Sequence, residues 1–382
     1  MKAVRADVVG SLLRPDYLLA ARRAGRKGLA SSSDVRAAED RAIAEAVALQ
    51  ERCGIDAVTD GEFRRTNFIA TMPATRSDPV PVRGFALVET EADWIALWKD
   101  EHGNHAPLVE GKVIKRALVV DKIQADTDFA AQEFDFLARQ VRTSRAKFTF
   151  PAPSWHRVAW HPQHSAGAYA TPRDFLLAMR DYTRALVERL IAHGCDYIQL
   201  DAPNYAQWHC DPSVRAQFAA QGRDMDAELI EDAEIDNSVF DGISGVTRAM
   251  HLCRGNAGAS WVASGGYNNI SATVFPLLTH YDRLLLEYDS PRAGDFTPLK
   301  DVCSHATVVL GLVTTKSPAL EAPEALESRI KEASAFVPLD RLALSPQCGF
   351  ASGELARTMS PQEQESKLRL IGDLARRTWN GR

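Results

Sequence analysis

Eight short apolar runs, each closed by turn or polar residues and most of them separated by a helical pattern, constrain this chain more than any other feature. They are Val4 to Val9, Ile55 to Thr59, Lys147 to Phe150, Asp196 to Leu200, Val246 to His251, Arg283 to Glu287, Thr307 to Val313 and Arg341 to Leu344. Several are nearly continuous in Val, Ile and Leu, as in parallel strands covered on both faces. The segments between them carry helix start signals. Thr171-Pro172-Arg173-Asp174 supplies an N-cap, a first-turn proline and an acid at N3 before an amphipathic run that stops at Gly194. Ser360-Pro361-Gln362-Glu363 does the same for the last helix, and a run from Asp34 ends at Gly54, just before the second strand. Eight strands alternating with helices in 382 residues predict one α/β domain, a single (β/α)8 TIM barrel. The alternative is a doubly wound open sheet. It lacks a glycine-rich turn for a dinucleotide, and Gly265-Gly266 has no suitable helix behind it.

The spacing is uneven. Roughly 90 residues separate the second and third runs, far beyond an ordinary connection, so an insertion with its own structure is expected at about 76–128. The polar stretch from Ala202 to Gly242 is a second long excursion. Composition excludes several classes of function. Lys and Arg total 45 against 50 Asp and Glu, a net charge of -5, which offers no electrostatic footprint for nucleic acid. No apolar run approaches the ~20 residues a membrane helix needs. Met1 to Gly10 has no apolar core of a secretory signal, so a cytoplasmic protein is expected, without nucleic-acid or membrane partners. Six cysteines in so long a chain are reduced thiols rather than a disulfide framework, some of them available as ligands.

Barrel enzymes build their sites at the C-terminal ends of strands. Those positions here hold Gly10-Ser11, Asp60-Gly61-Glu62, Asp201, His251-Leu252-Cys253, Glu287, Lys316 and Gln347-Cys348-Gly349, a concentration of acids, thiols and imidazole. His251 and Cys253 are two apart at a strand end and project to one face. With Cys348 they offer one nitrogen and two sulfurs, the donors zinc prefers, and Glu287 can close the tetrahedron as a weaker, displaceable ligand. Each alone reads more simply as a buried thiol or a turn residue; together they read as a metal site. Two thiolates and a carboxylate around Zn2+ leave a formal charge of -1, a poor activator of water but a good holder of a substrate thiol as thiolate. Alkyl transfer to sulfur is therefore expected rather than hydrolysis.

These residues resemble the cobalamin-independent methionine synthases. His251-x-Cys253, Glu287 and Cys348 match that family's zinc ligands in order and strand placement. Val9-Gly10-Ser11 with Arg14-Pro15, Asp60-Gly61-Glu62 and Ile198-Gln199-Leu200-Asp201-x-Pro203 match its other motifs. The resemblance covers almost the whole chain but only the C-terminal catalytic barrel of the longer enzyme, so this chain is similar to a short, single-barrel branch. It implies that Ser11, Glu62 and Asp201 hold the amino-acid portion of homocysteine, with two carboxylates converging on an ammonium group. It also implies zinc as cofactor, a small thiol and a methyl donor as partners, and methionine as product. Two positions depart from the family. Gln207 stands where the longer enzyme has a glutamate near its folate, and Lys316-Ser317-Pro318 replaces a His-Ser-Pro proton donor, which makes Lys316 the candidate catalytic acid. The donor is therefore left open among folate, a corrinoid, including a corrinoid protein, and another methyl compound.

Other signals are weaker. Trp155 is expected to line the pocket and stack on substrate or donor, with His156, His161 and His164 incidental. Trp208-His209-Cys210 is not read as a second metal site, and Arg64-Arg65 reads as a solvated surface pair. Cys53, Cys195 and Cys303 read as core or surface thiols near strand starts, and Tyr267 and Trp261 as pocket wall. Three rival functions remain. An epoxide-opening coenzyme M transferase of the same family would want cations for its sulfonate rather than Glu62 and Asp201. A barrel zinc hydrolase would use fewer thiolates. A non-catalytic metal protein would leave the nearby carboxylates without a task.

Overall fold

The computed structural model describes residues 3–69, 83–91, 113–124, 127–256, 258, 260–354 and 356–379. Among the described residues ten strands form, in chain order: β1 Ala57–Val58, β2 Arg83–Glu91, β3 Val113–Gln124, β4 Arg145–Ala146, β5 Phe148–Pro151, β6 Tyr197–Asp201, β7 Thr247–Leu252, β8 Arg283–Glu287, β9 Thr307–Val313 and β10 Leu342–Pro346. β5 to β10 make one parallel sheet in sequential order, and β1 pairs in parallel with β4. The β6 and β8 strands are buried along their whole length, the reason their sequences run apolar without alternation.

The first apolar run does not form a named strand. It makes a parallel bridge from Ala6 to Leu344, and Asp7 N donates to Leu344 O while Asp56 N donates to Ala6 O. Lys147 N donates to Val58 O, which extends the β1–β4 pairing into β5. Eight buried apolar side chains, Val4, Val9, Ala57, Tyr197, Ala249, Leu285, Val309 and Ala343, form a cluster of their own. They come from seven of the eight sequence runs. The larger core is separate and includes residues of the flanking helices, such as Ile43 and Val47, or Leu186, Val187 and Leu190.

The helix signals are realised in detail. Thr171 and Asp174 form a reciprocal capping box on the helix Pro172–Ala192, which ends where Gly194 takes a positive φ. The helix expected from Asp34 begins earlier, at Ser32, because Ser31 is the cap and Asp34 its N3 partner. Ser360 and Glu363 cap the last helix, Pro361–Trp379. Within the long second-to-third gap, β2 and β3 pair as an antiparallel ribbon. The Ala202 to Gly242 excursion is three helices, Pro203–His209, Pro212–Ala220 and Met225–Ser238. Among the described residues no helix is long and apolar enough to cross a membrane.

Candidate active site

Register places the site at one end of the parallel sheet. Asp201, the last residue of β6, is paired with His251 on β7, and His251 with Leu285 on β8; Glu287 ends β8 two residues later. Cys253 follows β7 directly, and Cys348 lies just past β10. The ligand atoms of His251, Cys253, Glu287 and Cys348 all lie within 4.8 Å of one another, and all four residues are buried. The two sulfurs are 3.5 Å apart.

The donor set fits a zinc ion. His251 Nδ1 lies 3.2 Å from the Leu285 carbonyl, which can only accept, so that nitrogen keeps its proton and Nε2 is the one that can offer a lone pair to a cation. His251 Nε2 and both Glu287 carboxylate oxygens are buried and have no hydrogen-bond partner among the described residues. Buried polar atoms are normally satisfied, so three orphans facing two thiols call for a cation. The charges agree. Burial, with the neighbouring Cys348 sulfur, pushes the Glu287 carboxyl up to about 7. The Cys253 thiol, by donating to it, holds Cys348 well below the ordinary thiol value, while Cys253 is pushed up in turn. Burial alone would lower His251, but the Cys348 sulfur beside it, with the Asp201 and Glu287 carboxylates, holds it up to about 9. A divalent cation would replace these shared protons.

Two glycines are set by close approach at this centre. A Cβ on Gly10 would lie 2.3 Å from Glu62 Oε1, and one on Gly349 would lie 2.0 Å from Ser11 Oγ. Glu62 is the one non-glycine with positive φ among the described residues, at 58°. Its N–H donates to Asp60 Oδ1 at 2.8 Å, and Thr149 Oγ1 donates to its Oε1 at 3.0 Å. Arg14 adds the tie between loops, donating to the carbonyls of Glu62 and Ala351. Backbone held in a rarely populated region marks a constrained site. Burial raises Glu62, and burial with the nearby Glu62 charge raises Asp201 to about 7 despite the opposing influence of His251. Glu62, with Arg65 4.0 Å from its Oε1, and Asp201 line the same cavity, and two carboxylates there can receive a cationic group.

Ser11, Glu62, Asp201, Trp155, Gln207, His251, Cys253 and Cys348 line one cavity of about 190 Å3. Trp155 stacks on Trp208 with centroids 5.8 Å apart, and Trp155 and Gln207 also border a larger cavity of about 470 Å3 lined with Arg116, Trp160 and Arg223. Sequence reasoning missed several residues of the smaller cavity, namely Phe68, Ile69, Asn256 and Ser352, and quoted Val9 and Pro203 only as parts of motifs. The apolar ones carried no chemical signal, although Asn256 follows the His-x-Cys motif closely enough to have been included.

Lys316 is not among the residues lining that cavity. Its Nζ donates to Gly255 O, Asn256 Oδ1 and Ser260 O, which occupies all three of its protons, though its charge still lowers Cys348 and Glu287. Asn256 in turn donates to Gly349 O, so Lys316 ties the loop after β7 to the loop after β10. Arg64 and Arg65 are not a solvated pair. Both are buried, Arg64 against Asp40 and Glu39 and Arg65 beside Glu62 and Thr149, because the Asp60 turn folds them under the site. Tyr267 is not cavity wall either: its hydroxyl accepts from Glu287 N and donates to Leu252 O, fixing the ligand strands from behind. Trp261 packs under Arg292 instead. His156 is buried against the Ala152 carbonyl, away from His161, which caps the short helix Pro162–Ser165 and packs its ring 5.0 Å from that of His164. Cys53 and Cys195 are buried thiols and Cys303 is half-buried.

Parallel strands with a buried His/Cys/Glu/Cys quartet at one end define a methyltransferase of the methionine synthase type. The family described as the catalytic domain of the cobalamin-independent synthases matches residues 279–376. The chain is 32% identical over 380 residues to the uncharacterized protein YxjH of Bacillus subtilis, covering 98% of this chain and 94% of that one. It is 22% identical over 348 residues to the methionine synthase of Pyrococcus horikoshii, covering 90% and 85%. The structure of a B12-independent methionine synthase from Shewanella sp. W3-18-1, in complex with selenomethionine, superposes with a TM-score of 0.72 at 16% identity, covering 100% of this chain and 99% of that one. This protein belongs to the cobalamin-independent methionine synthase family.

Proposed function

We propose that this protein is a zinc-dependent S-methyltransferase that methylates homocysteine to methionine on a single closed (β/α)8 barrel, its insertion lying between the second and third strands. The observation that carries the reading is the buried quartet, three of whose donor atoms have no hydrogen-bond partner among the described residues, beside a cavity lined by Glu62 and Asp201. Closure is supported by the backbone bonds that join the first apolar run both to β10 and to Asp56, and by the apolar cluster drawn from seven of the eight runs.

His251, Cys253 and Cys348 would hold the zinc, with Glu287 as the ligand that can yield. Bound there, zinc would keep a substrate thiol deprotonated and still nucleophilic. The chain's own residues supply the rest. Glu62 and Asp201 meet the substrate ammonium, and Ser11 meets the far end of the amino acid. The acid pair favours an amino thiol over a sulfonate thiol such as coenzyme M. Trp155 and Gln207, at the wall shared by both cavities, position the donor so that the sulfur meets the methyl carbon in line. The S–C bond forms as the bond from that carbon to the donor's leaving atom breaks, its electron pair going to the leaving atom. Turnover of zinc-loaded protein with homocysteine and a panel of methyl donors tests the reading. Methionine formation is expected with at least one donor, and its absence with all of them, at full metal content, would overturn it.

A further inference from the structure

Beneath the carboxylate pair the parallel strands enclose charged groups that the reaction does not touch. Lys147 is fully buried, and its Nζ donates to Asp7 Oδ1 at 2.8 Å, to Gln199 Oε1 at 2.8 Å and to the carbonyl of Val8. Arg283 and the Tyr197 hydroxyl also reach Asp7, at 3.3 Å and 2.6 Å. Two cations therefore share one carboxylate, and the surplus positive charge lies on the side of β6 that carries Gln199 and Asp201.

The protons of this network can be arranged in only one way. An ammonium has three donors and no acceptor, so the Gln199 atom that meets Lys147 must be the carbonyl oxygen. The Gln199 amide nitrogen is then turned the other way, where it donates to Val9 O at 2.8 Å and to Asp201 Oδ1 at 2.7 Å. The Val9 carbonyl can only accept, which fixes the amide the same way. Gln199 and Asp201 are two apart on β6 and share a face, so a fixed amide fixes the carboxylate beside it. Asp201 Oδ1 is thereby engaged, while its Oδ2 makes no hydrogen bond among the described residues, and the residue lines the 190 Å3 cavity.

We propose that Gln199, with its amide orientation set by the Lys147–Asp7 pair, is a positioning residue for substrate selection: it fixes Asp201 so that one carboxylate oxygen is reserved for the ammonium of an amino thiol. The inference rests on the assignment of Asp201 to that ammonium made above. It explains why two uncharged contacts and a buried ion pair sit under a site whose reaction needs none of them. A buried hydrogen bond to a charged group, once removed, frees the carboxylate to rotate away from its partner.

The test uses zinc-loaded full-length protein and calorimetric binding of homocysteine and of 4-mercaptobutanoate, the same thiol acid without the amino group. Gln199→Met keeps volume and removes the donor. It is expected to weaken homocysteine about ten-fold, the worth of one charge-assisted hydrogen bond, while mercaptobutanoate binding and metal content stay unchanged. Unchanged homocysteine affinity, or an equal loss for both thiols, overturns the proposal. Should Gln199→Met lose its fold, Gln199→Leu, which likewise brings no donor to Asp201, is read by the same criteria. Asp201→Asn run in parallel separates the two layers of the argument. If it abolishes the preference for the amino thiol and the Gln199 variant does not, only the positioning role falls. If Asp201→Asn itself leaves the preference intact, the amino-thiol assignment fails, and the role of Gln199 with it.

Discussion

Replacing Asp201 by Asn should make the metal-free protein more stable at alkaline pH while damaging its recognition of an amino thiol. An ordinary aspartate loses its proton near 3.8, whereas burial holds folded Asp201 protonated up to about 7. Between those values the folded state binds more protons than the unfolded one, so this residue costs stability as pH rises through the window. The cost is fully developed above pH 7 and absent below pH 4. A displacement of about three units corresponds to about 4 kcal/mol at pH 8, and to less than half of that at pH 5. Asparagine keeps an oxygen to accept the Gln199 amide but carries no charge, so it escapes the penalty. Urea unfolding of chelator-treated wild type and Asp201→Asn measures the difference. The stability gap in favour of the variant should widen by about 2–3 kcal/mol between pH 5 and pH 8. A gap that stays constant with pH, or one that favours wild type at pH 8, would refute the claim that Asp201 is a buried carboxylate kept at a cost for function.

Three further outcomes follow from the geometry. Cys253→Ser and Cys348→Ser should each lose most bound zinc while Glu287→Gln retains it better, because three stronger donors remain; elemental analysis after dialysis decides this. Gly10→Ala places a Cβ 2.3 Å from Glu62 Oε1, so it should raise the KM for homocysteine several-fold and cost roughly 1–3 kcal/mol in thermal unfolding, with zinc content unaffected. Lys316 already spends its three protons on Gly255, Asn256 and Ser260, and Gln207 carries no acid, so neither is free to protonate the leaving nitrogen of a folate. Methylcobalamin should therefore yield methionine faster than methyltetrahydrofolate, and the reverse order in a time course would show that a proton reaches the folate by another route.

The sequence alone determined the later strands of the parallel sheet, because residues buried on both faces must be apolar in continuous runs. Arg283–Glu287 and Thr307–Val313 were readable to the residue for that reason. It also singled out His251, Cys253, Glu287 and Cys348 as one group, and the fold brings their ligand atoms within 4.8 Å of one another because parallel strands bring their ends together. Helix starts were legible wherever capping is local, as at Thr171 and Asp174. Tertiary structure decided what depends on distant neighbours. Arg64 and Arg65 looked solvated, yet they lie buried because Glu39 and Asp40, on a helix more than twenty residues earlier, come round to meet them. Lys316 carried the chemistry of a proton donor, and only its three acceptors show that its protons are spent on holding loops together. The Lys147–Gln199–Asp201 chain joins neighbouring strands 52 residues apart in sequence. A side chain's type fixes which bonds it can make, but only the packed fold fixes which partners reach it first.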